Sequence, residues 1–377
     1  MDKTKLCEKL VVKNVINETS DAVSLVFDIP EQLKNKFKYR AGQFVTLFLE
    51  IDGEEVRRSY SIPSAPEIDT DFKITVKLVP GGKGSTFICQ KVKTGDSLWV
   101  TPPAGLFCLP KDLTQCDLAF YAAGSGVTPI ISLIKEALKK WSGSRCVLLY
   151  QNKNESSVLF NEELRELVKK MSPRLTVEHY FSSPQSSSSD RTGRVDPKMV
   201  REFIIRNKLN IRTRHFLCGP EGFMQNVKIA LIDLGYDRSQ IFFESFQTPQ
   251  QAGGAQTHTH SSTQESDSIL PEDAIAIGDM NDKSEPSTIE AMIDGEKHSV
   301  PYKSGMSVLD CLLDAGLNPP YSCMDGACMA CMAKVSNGLV YQMDMGILTD
   351  DNVEARECLT CQARPASKNV KINYDNL

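Results

Sequence analysis

Three cysteines lie close together near the end of this 377-residue chain. Cys323, Cys328 and Cys331 follow the spacing C-x4-C-x2-C. Cysteine thiolates are strong ligands for iron, and this spacing is typical of proteins that bind a [2Fe-2S] cluster. The three cysteines are therefore predicted to hold an iron-sulfur cluster.

Such a cluster needs a fourth thiolate, and two later cysteines are candidates. In the plant-type ferredoxins that this segment resembles, about 29 residues separate the third ligand from the fourth. Here 29 residues separate Cys331 from Cys361, whereas 26 separate Cys331 from Cys358. We therefore expect Cys361 to be the fourth ligand. A structural zinc site is the alternative, but zinc-binding cysteines usually come in two short pairs.

Two further segments contain residue types that suit a cofactor with phosphates and an aromatic ring. Residues 57–61 (RRSYS) offer the forked guanidinium of Arg58, the ring of Tyr60 and the hydroxyl of Ser61. Residues 81–86 (GGKGST) follow a predicted strand, and their glycines would let backbone amides reach a pyrophosphate. Taken alone, each segment also fits a simpler interpretation, a basic strand end and a hairpin turn.

The region that must position these segments, residues 1–110, is predicted to form an antiparallel β-barrel. Short runs of β-branched and aromatic residues alternate there with turn residues. In residues 72–78 (FKITVKL), apolar and polar residues alternate, which is the period of a strand with one solvated face.

Residues 111–247 have a different pattern, in which predicted strands alternate with predicted helices. Asp196 before Pro197 is a helix start signal, and Gly235 is a helix stop signal. This alternation predicts a doubly wound α/β domain with a parallel sheet. The loop from Gly124 to Pro129 lies between the first strand and its helix, where free amides can bind a pyrophosphate.

The composition changes again after residue 247. Residues 248–286 are rich in Gln, Thr, Ser and Asp, and they are predicted to form a flexible linker. Residues 287–377 contain the clustered cysteines and are predicted to form a third domain. Within it, Ser307 and Asp310 resemble a capping box ahead of a short helix at 308–315.

The order of these motifs along the chain resembles that of the ferredoxin-NADP reductase superfamily. The motifs are R-x-Y-S, G-G-x-x-S-T, the Gly124 loop and Cys218-Gly219-Pro220. With its C-terminal cluster domain, the chain looks most like the reductase components of phenylacetyl-CoA epoxygenases. The resemblance implies a multidomain protein with an FAD-binding antiparallel β-barrel, an NAD(P)-binding α/β domain and an α+β ferredoxin domain of the β-grasp type.

The resemblance also implies roles for single residues. Ser61, Cys218 and Glu244 are expected to be catalytic, with Cys218 beside the nicotinamide and Glu244 near the flavin. The residues expected to bind FAD or the nicotinamide nucleotide are Arg58, Tyr60, Ser61, Lys77, Gly82, Gly84, Ser85, Thr86, Gly124, Gly126, Thr128, Cys218, Gly219, Pro220 and Phe246. The expected metal ligands are Cys323, Cys328, Cys331 and Cys361.

Together these features predict a reductase that moves electrons from NAD(P)H through FAD and a [2Fe-2S] cluster to a partner oxygenase or epoxygenase. A hybrid-cluster protein as acceptor, or a redox sensor without turnover, are the alternatives. The choice between NADPH and NADH is left open, because segments 151–154 and 182–183 offer Lys153 as a cation but no arginine pair.

Charge and hydropathy exclude two classes of partner. A formal net charge of −5 provides no large basic surface for nucleic acid. The longest uncharged run of mainly apolar residues, 118–134, is interrupted by glycine and proline and is too short for a membrane span. The N-terminal segment is polar and lacks an apolar stretch typical of signal peptides, so a cytoplasmic location is expected.

Overall fold

The computed structural model describes most of the chain, which divides into two compact units, Asp2–Gln247 and Thr248–Leu377. The described residues are 7–105, 107–110, 113, 116–185, 191–244, 274–317, 319–321, 326, 331–343, 348 and 350–375. None of the helices formed by these residues has the length and apolar character that a membrane span requires.

The first unit begins with a six-stranded antiparallel sheet, as the alternating pattern predicts. Its strands are β1 (Glu8–Thr19), β2 (Ala22–Asp28), β3 (Phe44–Ile51), β4 (Glu54–Ser61), β5 (Phe72–Lys77) and β6 (Ser97–Val100), in the order β4-β3-β6-β1-β2-β5. In β5, the apolar residues Phe72, Ile74 and Val76 are buried in one core. That core holds the strands together, because each contributes apolar side chains to it.

The glycine-rich segment after β5 begins a helix, α1 (Lys83–Lys91), rather than closing a hairpin. Gly81 has a φ of +74°, which ends the strand, and Gly82 is the N-cap of the helix. The Ser85 hydroxyl accepts a hydrogen bond from the Val79 backbone N–H at 3.1 Å and fixes this turn. The simple hairpin interpretation of this segment is therefore wrong.

The rest of the first unit is a doubly wound parallel sheet, as predicted. The elements are β7 (Leu118–Ala123), α2 (Val127–Lys140), β8 (Cys146–Asn152), α3 (Asn161–Met171), β9 (Leu175–Phe181), α4 (Pro197–Arg206), β10 (Arg214–Cys218), α5 (Glu221–Asp233) and β11 (Ile241–Glu244). The strand order is β11-β10-β7-β8-β9, and all neighbours are parallel. One face packs against α2 and α3, and the other packs against α4 and α5.

The predicted helix signals act as expected. The Asp196 carboxylate caps α4 by accepting a hydrogen bond from the Met199 N–H at 2.8 Å. Gly235, with a φ of +81°, follows the last turn of α5. These local signals are reliable because capping groups satisfy backbone donors and acceptors that the helix itself leaves free.

The second unit is an α+β domain with two sheets. Its elements are β12 (Ala274–Gly278), β13 (Thr288–Ile293), β14 (Glu296–Pro301), α6 (Val308–Asp314), β15 (Met332–Asn337), β16 (Leu339–Met343), α7 (Asp350–Glu354), β17 (Glu357–Leu359), β18 (Arg364–Pro365) and β19 (Asn369–Asn373). The sheets have the orders β14-β13-β19-β15-β17 and β12-β16-β18, and β13 and β19 are parallel. The capping box of Ser307 and Asp310 is present at the start of α6.

The end of the predicted linker is ordered, which differs from the sequence-based expectation for residues 248–286. Strand β12 pairs with β16, and its residue Ile277 is only 1% exposed in the domain core. Its apolar residues pack on that core, so polar composition around them did not exclude a strand. The part of the predicted linker at 248–273 lies outside the described residues.

A buried cation connects the two halves of the first unit. Lys135 of α2 lies with its ammonium nitrogen 2.8 Å from the Asp69 carboxylate, and it also pairs with Glu163 of α3. Nearby, the Ser132 hydroxyl donates a hydrogen bond to the Ser64 carbonyl at 2.7 Å. Because Asp69 and Ser64 belong to the antiparallel half, these contacts tie α2 to it.

Replacing Lys135 by methionine is expected to lower the free energy of unfolding by about 2 kcal/mol, because two partly buried carboxylates would lose their shared cation. Chemical denaturation of the full-length protein measures this. Lys139 is the matched control, since it lies one turn further along α2, half exposed and 3.4 Å from Glu67. Lys139→Met should change stability by less than about 0.5 kcal/mol. Equal losses in the two variants would contradict a special role for Lys135.

Candidate functional site

The predicted flavin-binding residues come together where β4 meets the start of α1. A Cβ atom at Gly84 would lie 2.9 Å from Cγ of Arg58 and 3.7 Å from the hydroxyl of Tyr60. Only glycine therefore allows the first turn of α1 to approach these two side chains so closely. The two motifs, separated in sequence by some twenty residues, form one structural group.

This group has the donors that a pyrophosphate requires. Within the described part of the chain no side chain caps the N-terminus of α1, which leaves its first backbone N–H groups available, and the helix dipole favours an anion there. Cγ of Arg58 lies beside that turn, and the guanidinium donates to the Arg57 carbonyl at 2.7 Å. Burial raises the pKa of Tyr60, which keeps its ring neutral and suited to packing on an aromatic cofactor. The residues present thus fit an FAD group.

Three other residues predicted to bind the flavin make their described contacts with neighbouring protein groups. Lys77 ends β5, with its ammonium nitrogen 3.6 Å from the Asp21 carboxylate. The Ser85 hydroxyl donates to the Gly82 carbonyl at 3.2 Å, so it serves the helix start. Thr86 donates its backbone N–H to the same carbonyl at 3.0 Å. Direct contact of these three side chains with a cofactor stays a prediction.

Two of the predicted catalytic residues are joined by a hydrogen bond across 183 positions of sequence. The Ser61 hydroxyl donates to a carboxylate oxygen of Glu244 at 3.1 Å. Ser61 is the last residue of β4, and Glu244 is the last residue of β11. The bond therefore joins the end of the antiparallel sheet to the end of the parallel sheet.

The third predicted catalytic residue, Cys218, lies next to this pair. It ends β10, and in the parallel register it is the neighbour of Glu244. The thiol is completely buried, and burial together with the Glu244 charge raises its pKa well above the ordinary value. Cys218 is therefore a neutral thiol, not a thiolate nucleophile.

The nicotinamide-side glycines are required by close backbone packing at the carboxyl ends of β7 and β10. A Cβ atom at Gly126 would lie 2.2 Å from the carbonyl oxygen of Cys218. Gly219 has a φ of +159°, and a Cβ atom there would lie 3.0 Å from that of Ala123. The loop Gly124–Gly126 and the turn Cys218-Gly219-Pro220 thus pack directly against each other.

The start of α2 offers a second place for a pyrophosphate. None of the described side chains caps it, and it follows the loop at the carboxyl end of the sheet, where nucleotides bind in doubly wound folds. The Thr128 hydroxyl donates to the Ser125 carbonyl at 2.8 Å and stabilises the first turn. These groups fit a dinucleotide, as the sequence predicts.

One supporting residue of this loop has no sequence signal. The hydroxyl of Tyr150, two residues before the end of β8, donates to the Gly124 carbonyl at 3.2 Å and accepts from the Leu159 N–H at 3.2 Å. Through these two hydrogen bonds Tyr150 connects the Gly124 loop to the segment that follows β8. A buried tyrosine in an apolar strand is ordinary core by pattern, so only the tertiary structure identifies this contact.

The segments considered for nucleotide choice run side by side. Ser182 donates its N–H to the Asn152 carbonyl at 3.0 Å, and Ser183 donates to that of Lys153 at 2.8 Å. The two segments therefore remain paired past the carboxyl ends of β8 and β9, the edge of the sheet at which the Gly124 loop also lies. This placement favours neither NADH nor NADPH, because none of these contacts involves a charged side-chain group.

In the second unit, two of the four predicted cluster ligands are described, and they lie together. The sulfur atoms of Cys331 and Cys361 are 3.2 Å apart in a small buried group with Leu309 and Leu359. Cys358 points instead into the main core of the domain, and burial raises its pKa. Soft thiolates this close suit a common iron atom. The other two predicted ligands, Cys323 and Cys328, lie outside the described residues. The same holds for Phe246, which was predicted to bind a cofactor in the first unit.

The backbone around the cluster ligands is held by buried hydroxyl groups that sequence analysis did not identify. Thr360 donates its hydroxyl to the Cys331 carbonyl at 2.8 Å, and its backbone N–H donates to the same oxygen at 3.2 Å. Tyr374 in turn donates its hydroxyl to that of Thr360 at 2.8 Å. The residue before Cys361 thus ties that ligand to Cys331.

Comparison with protein families matches three regions in the expected order. Residues 9–108 match the oxidoreductase FAD-binding domain, residues 120–228 the oxidoreductase NAD-binding domain, and residues 291–366 the 2Fe-2S iron-sulfur cluster binding domain. The predicted FAD, NAD and 2Fe-2S cofactors are thereby confirmed at the level of domains. The zinc alternative is wrong.

Two similar proteins match this chain over nearly their whole length. The chain is 35% identical over 367 residues to the ferredoxin reductase component of a 3-ketosteroid-9-alpha-monooxygenase from Rhodococcus rhodochrous, covering 97% of this chain and 96% of the relative. It is 30% identical over 370 residues to one of the subunits of the 1,2-phenylacetyl-CoA epoxidase from Escherichia coli strain K12, covering 97% of each.

A solved structure of phthalate dioxygenase reductase has a similar fold, with a TM-score of 0.58, 20% identity, and coverage of 98% of this chain and 99% of that one. The order of domains, the motif positions and the full-length relatives agree. This chain belongs to the oxidoreductases of the ferredoxin-NADP reductase type that carry FAD-binding and NAD-binding domains followed by a C-terminal 2Fe-2S domain.

Proposed function

We propose that this protein takes electrons from NAD(P)H and delivers them, through FAD and the [2Fe-2S] cluster, to a separate oxygenase component. When bound, NAD(P)H supplies two electrons as a hydride, FAD accepts both, and the cluster accepts one at a time. The observation that carries the proposal is the meeting of Ser61, Glu244 and Cys218 between the two candidate pyrophosphate sites. The names of the similar reductase components support an oxygenase as the acceptor.

The three residues can serve hydride transfer without forming a covalent bond. Glu244 orients the Ser61 hydroxyl, and that hydroxyl provides an exchangeable proton at the end of β4. Cys218 stays a neutral thiol, and its carbonyl oxygen contacts Gly126 so closely that the nucleotide loop cannot move toward it. We infer that the residues would hold the two rings face to face, with the Ser61 hydroxyl kept in one orientation by Glu244.

The test uses anaerobically prepared holoprotein with cytochrome c and ferricyanide as acceptors. Addition of NADH or NADPH should reduce both acceptors over many turnovers, with one nucleotide preferred. Many turnovers per chain would exclude a sensor that works without turnover. Protein that holds iron and flavin but is reduced by neither nucleotide would overturn the proposal. Comparing an oxygenase component with a hybrid-cluster protein as final acceptor then decides the partner class.

Replacing Ser61 by alanine is expected to slow flavin reduction by NAD(P)H about 10- to 100-fold, because the hydroxyl that Glu244 orients at the end of β4 is lost and the rings are held less well for hydride transfer. Stopped-flow absorbance of the flavin measures the rate. Ser59→Ala is the matched control on the same strand, since the Ser59 hydroxyl bonds to Thr46 at 2.9 Å instead. A Ser61→Ala rate equal to that of Ser59→Ala would argue against the role.

The fourth cluster ligand can be identified with a pair of cysteine variants. Cys361→Ala should lose most of the iron and the visible absorbance of the cluster, because a sulfur next to Cys331 is removed. It should also stop cytochrome c reduction while ferricyanide reduction by the flavin continues. Cys358→Ala, which shortens a side chain in the apolar core, should keep its iron. The opposite result would assign Cys358 as the ligand.

A further inference from the structure

The residue after Cys361 places a hydrogen-bond donor on the ligand sulfur. The side-chain amide nitrogen of Gln362 lies 3.6 Å from Sγ of Cys361, and it donates to that sulfur. Sulfur is a large and weak acceptor, so N–H···S hydrogen bonds are longer than those to oxygen. The contact is therefore a direct interaction with the atom that would bind iron.

The position of Gln362 is fixed by its backbone. Its N–H donates to the Leu359 carbonyl at 2.8 Å, and its own carbonyl accepts from Arg364 at 3.4 Å. The backbone of Gln362 is thus hydrogen-bonded both to the residue three positions before it and to the residue two positions after it. Gln362 is partly exposed whereas Cys361 is buried, which places the amide at the boundary between the thiolate and solvent.

The charge of the cluster explains why this donor matters. Reduction adds one electron, and no bond is formed or broken, so the negative charge on the thiolate-bound centre rises by one. A hydrogen bond to a ligand sulfur stabilises the more negative state, and such bonds are among the factors that set cluster potentials. A glutamine amide does not titrate, so the donor itself adds no pH dependence to the potential.

The neighbouring contact from Thr360 acts differently. Its hydroxyl binds the carbonyl oxygen of Cys331, which fixes the backbone and leaves the sulfur charge unaffected. Thr360 therefore holds the ligands in place, whereas Gln362 acts on the charge. Two residues on either side of Cys361 have separate tasks.

We propose that Gln362 raises the reduction potential of the cluster through its N–H···S hydrogen bond to Cys361. This inference rests on the proposed function, since Cys361 must be a cluster ligand. It goes further by naming the side chain that makes the cluster a better electron acceptor for the flavin.

The test is the midpoint potential of the cluster in full-length holoprotein, measured by spectroelectrochemical titration. Gln362→Met keeps the side-chain length but removes the donor. Its cluster should be harder to reduce by about threefold in the equilibrium constant, which corresponds to a potential lower by about 28 mV at 59 mV per tenfold change. Gln362→Glu also removes the donor and adds a negative charge, so its potential should fall further. Asn281→Met, an exposed amide replacement in the same unit, should leave the potential unchanged.

A measurement on the unaltered protein keeps the inference testable if the variants lose the cluster. With glutamine side chains labelled with 15N, pulsed electron paramagnetic resonance of the reduced cluster should show a coupling to one amide nitrogen. Absence of that coupling, or a Gln362→Met potential equal to that of the unaltered protein, would overturn the inference. Failure of the proposed function would appear differently, as missing iron or a cluster that NAD(P)H does not reduce.

Discussion

The close approach of Gly126 to the carbonyl oxygen of Cys218 is the constraint on which the first unit's candidate site depends. A single additional carbon atom at Gly126 would lie 2.2 Å from that oxygen, so the nucleotide loop and the end of β10 are in contact through backbone alone. The other residues of the candidate site are connected to this contact one after another. The loop starts α2, Cys218 is the neighbour of Glu244 in the sheet, and Glu244 accepts the hydrogen bond from Ser61 of the other sheet.

Both halves of the first unit are held by charged and polar groups where they meet. The buried Lys135 pairs with both Asp69 and Glu163, and the Ser132 hydroxyl donates a hydrogen bond to a carbonyl of the antiparallel half. A buried cation with a missing partner would be costly, so such an arrangement favours one relative position of the two sheets. The Ser61–Glu244 hydrogen bond needs that position, because its partners come from different sheets.

Buried groups around the candidate site are kept neutral. Burial raises the pKa values of the Tyr60 hydroxyl and the Cys218 thiol, so neither ionises near pH 7. Charge in the site is therefore left to the carboxylate of Glu244 and the guanidinium of Arg58. A site with few ionising groups lets electrons move without large shifts in protonation, which suits a protein that transfers electrons rather than breaking substrate bonds.

The sequence by itself determined the order of domains, the strand and helix patterns of the first unit and the cysteine spacing, because each depends on local patterns, and the resemblance of its motifs to known reductases supplied the cofactors. Alternating apolar residues specify strands, capping residues specify helix ends, and Cys331 to Cys361 spans the ferredoxin distance. Only the tertiary structure decided that 81–86 begins a helix, that 274–278 is a strand, and that Ser61 reaches Glu244. It also revealed Tyr150, Thr360 and Gln362. Their contacts join residues through packing or side-chain geometry, and hydrophobic periodicity contains no information on which partner a buried polar group will find.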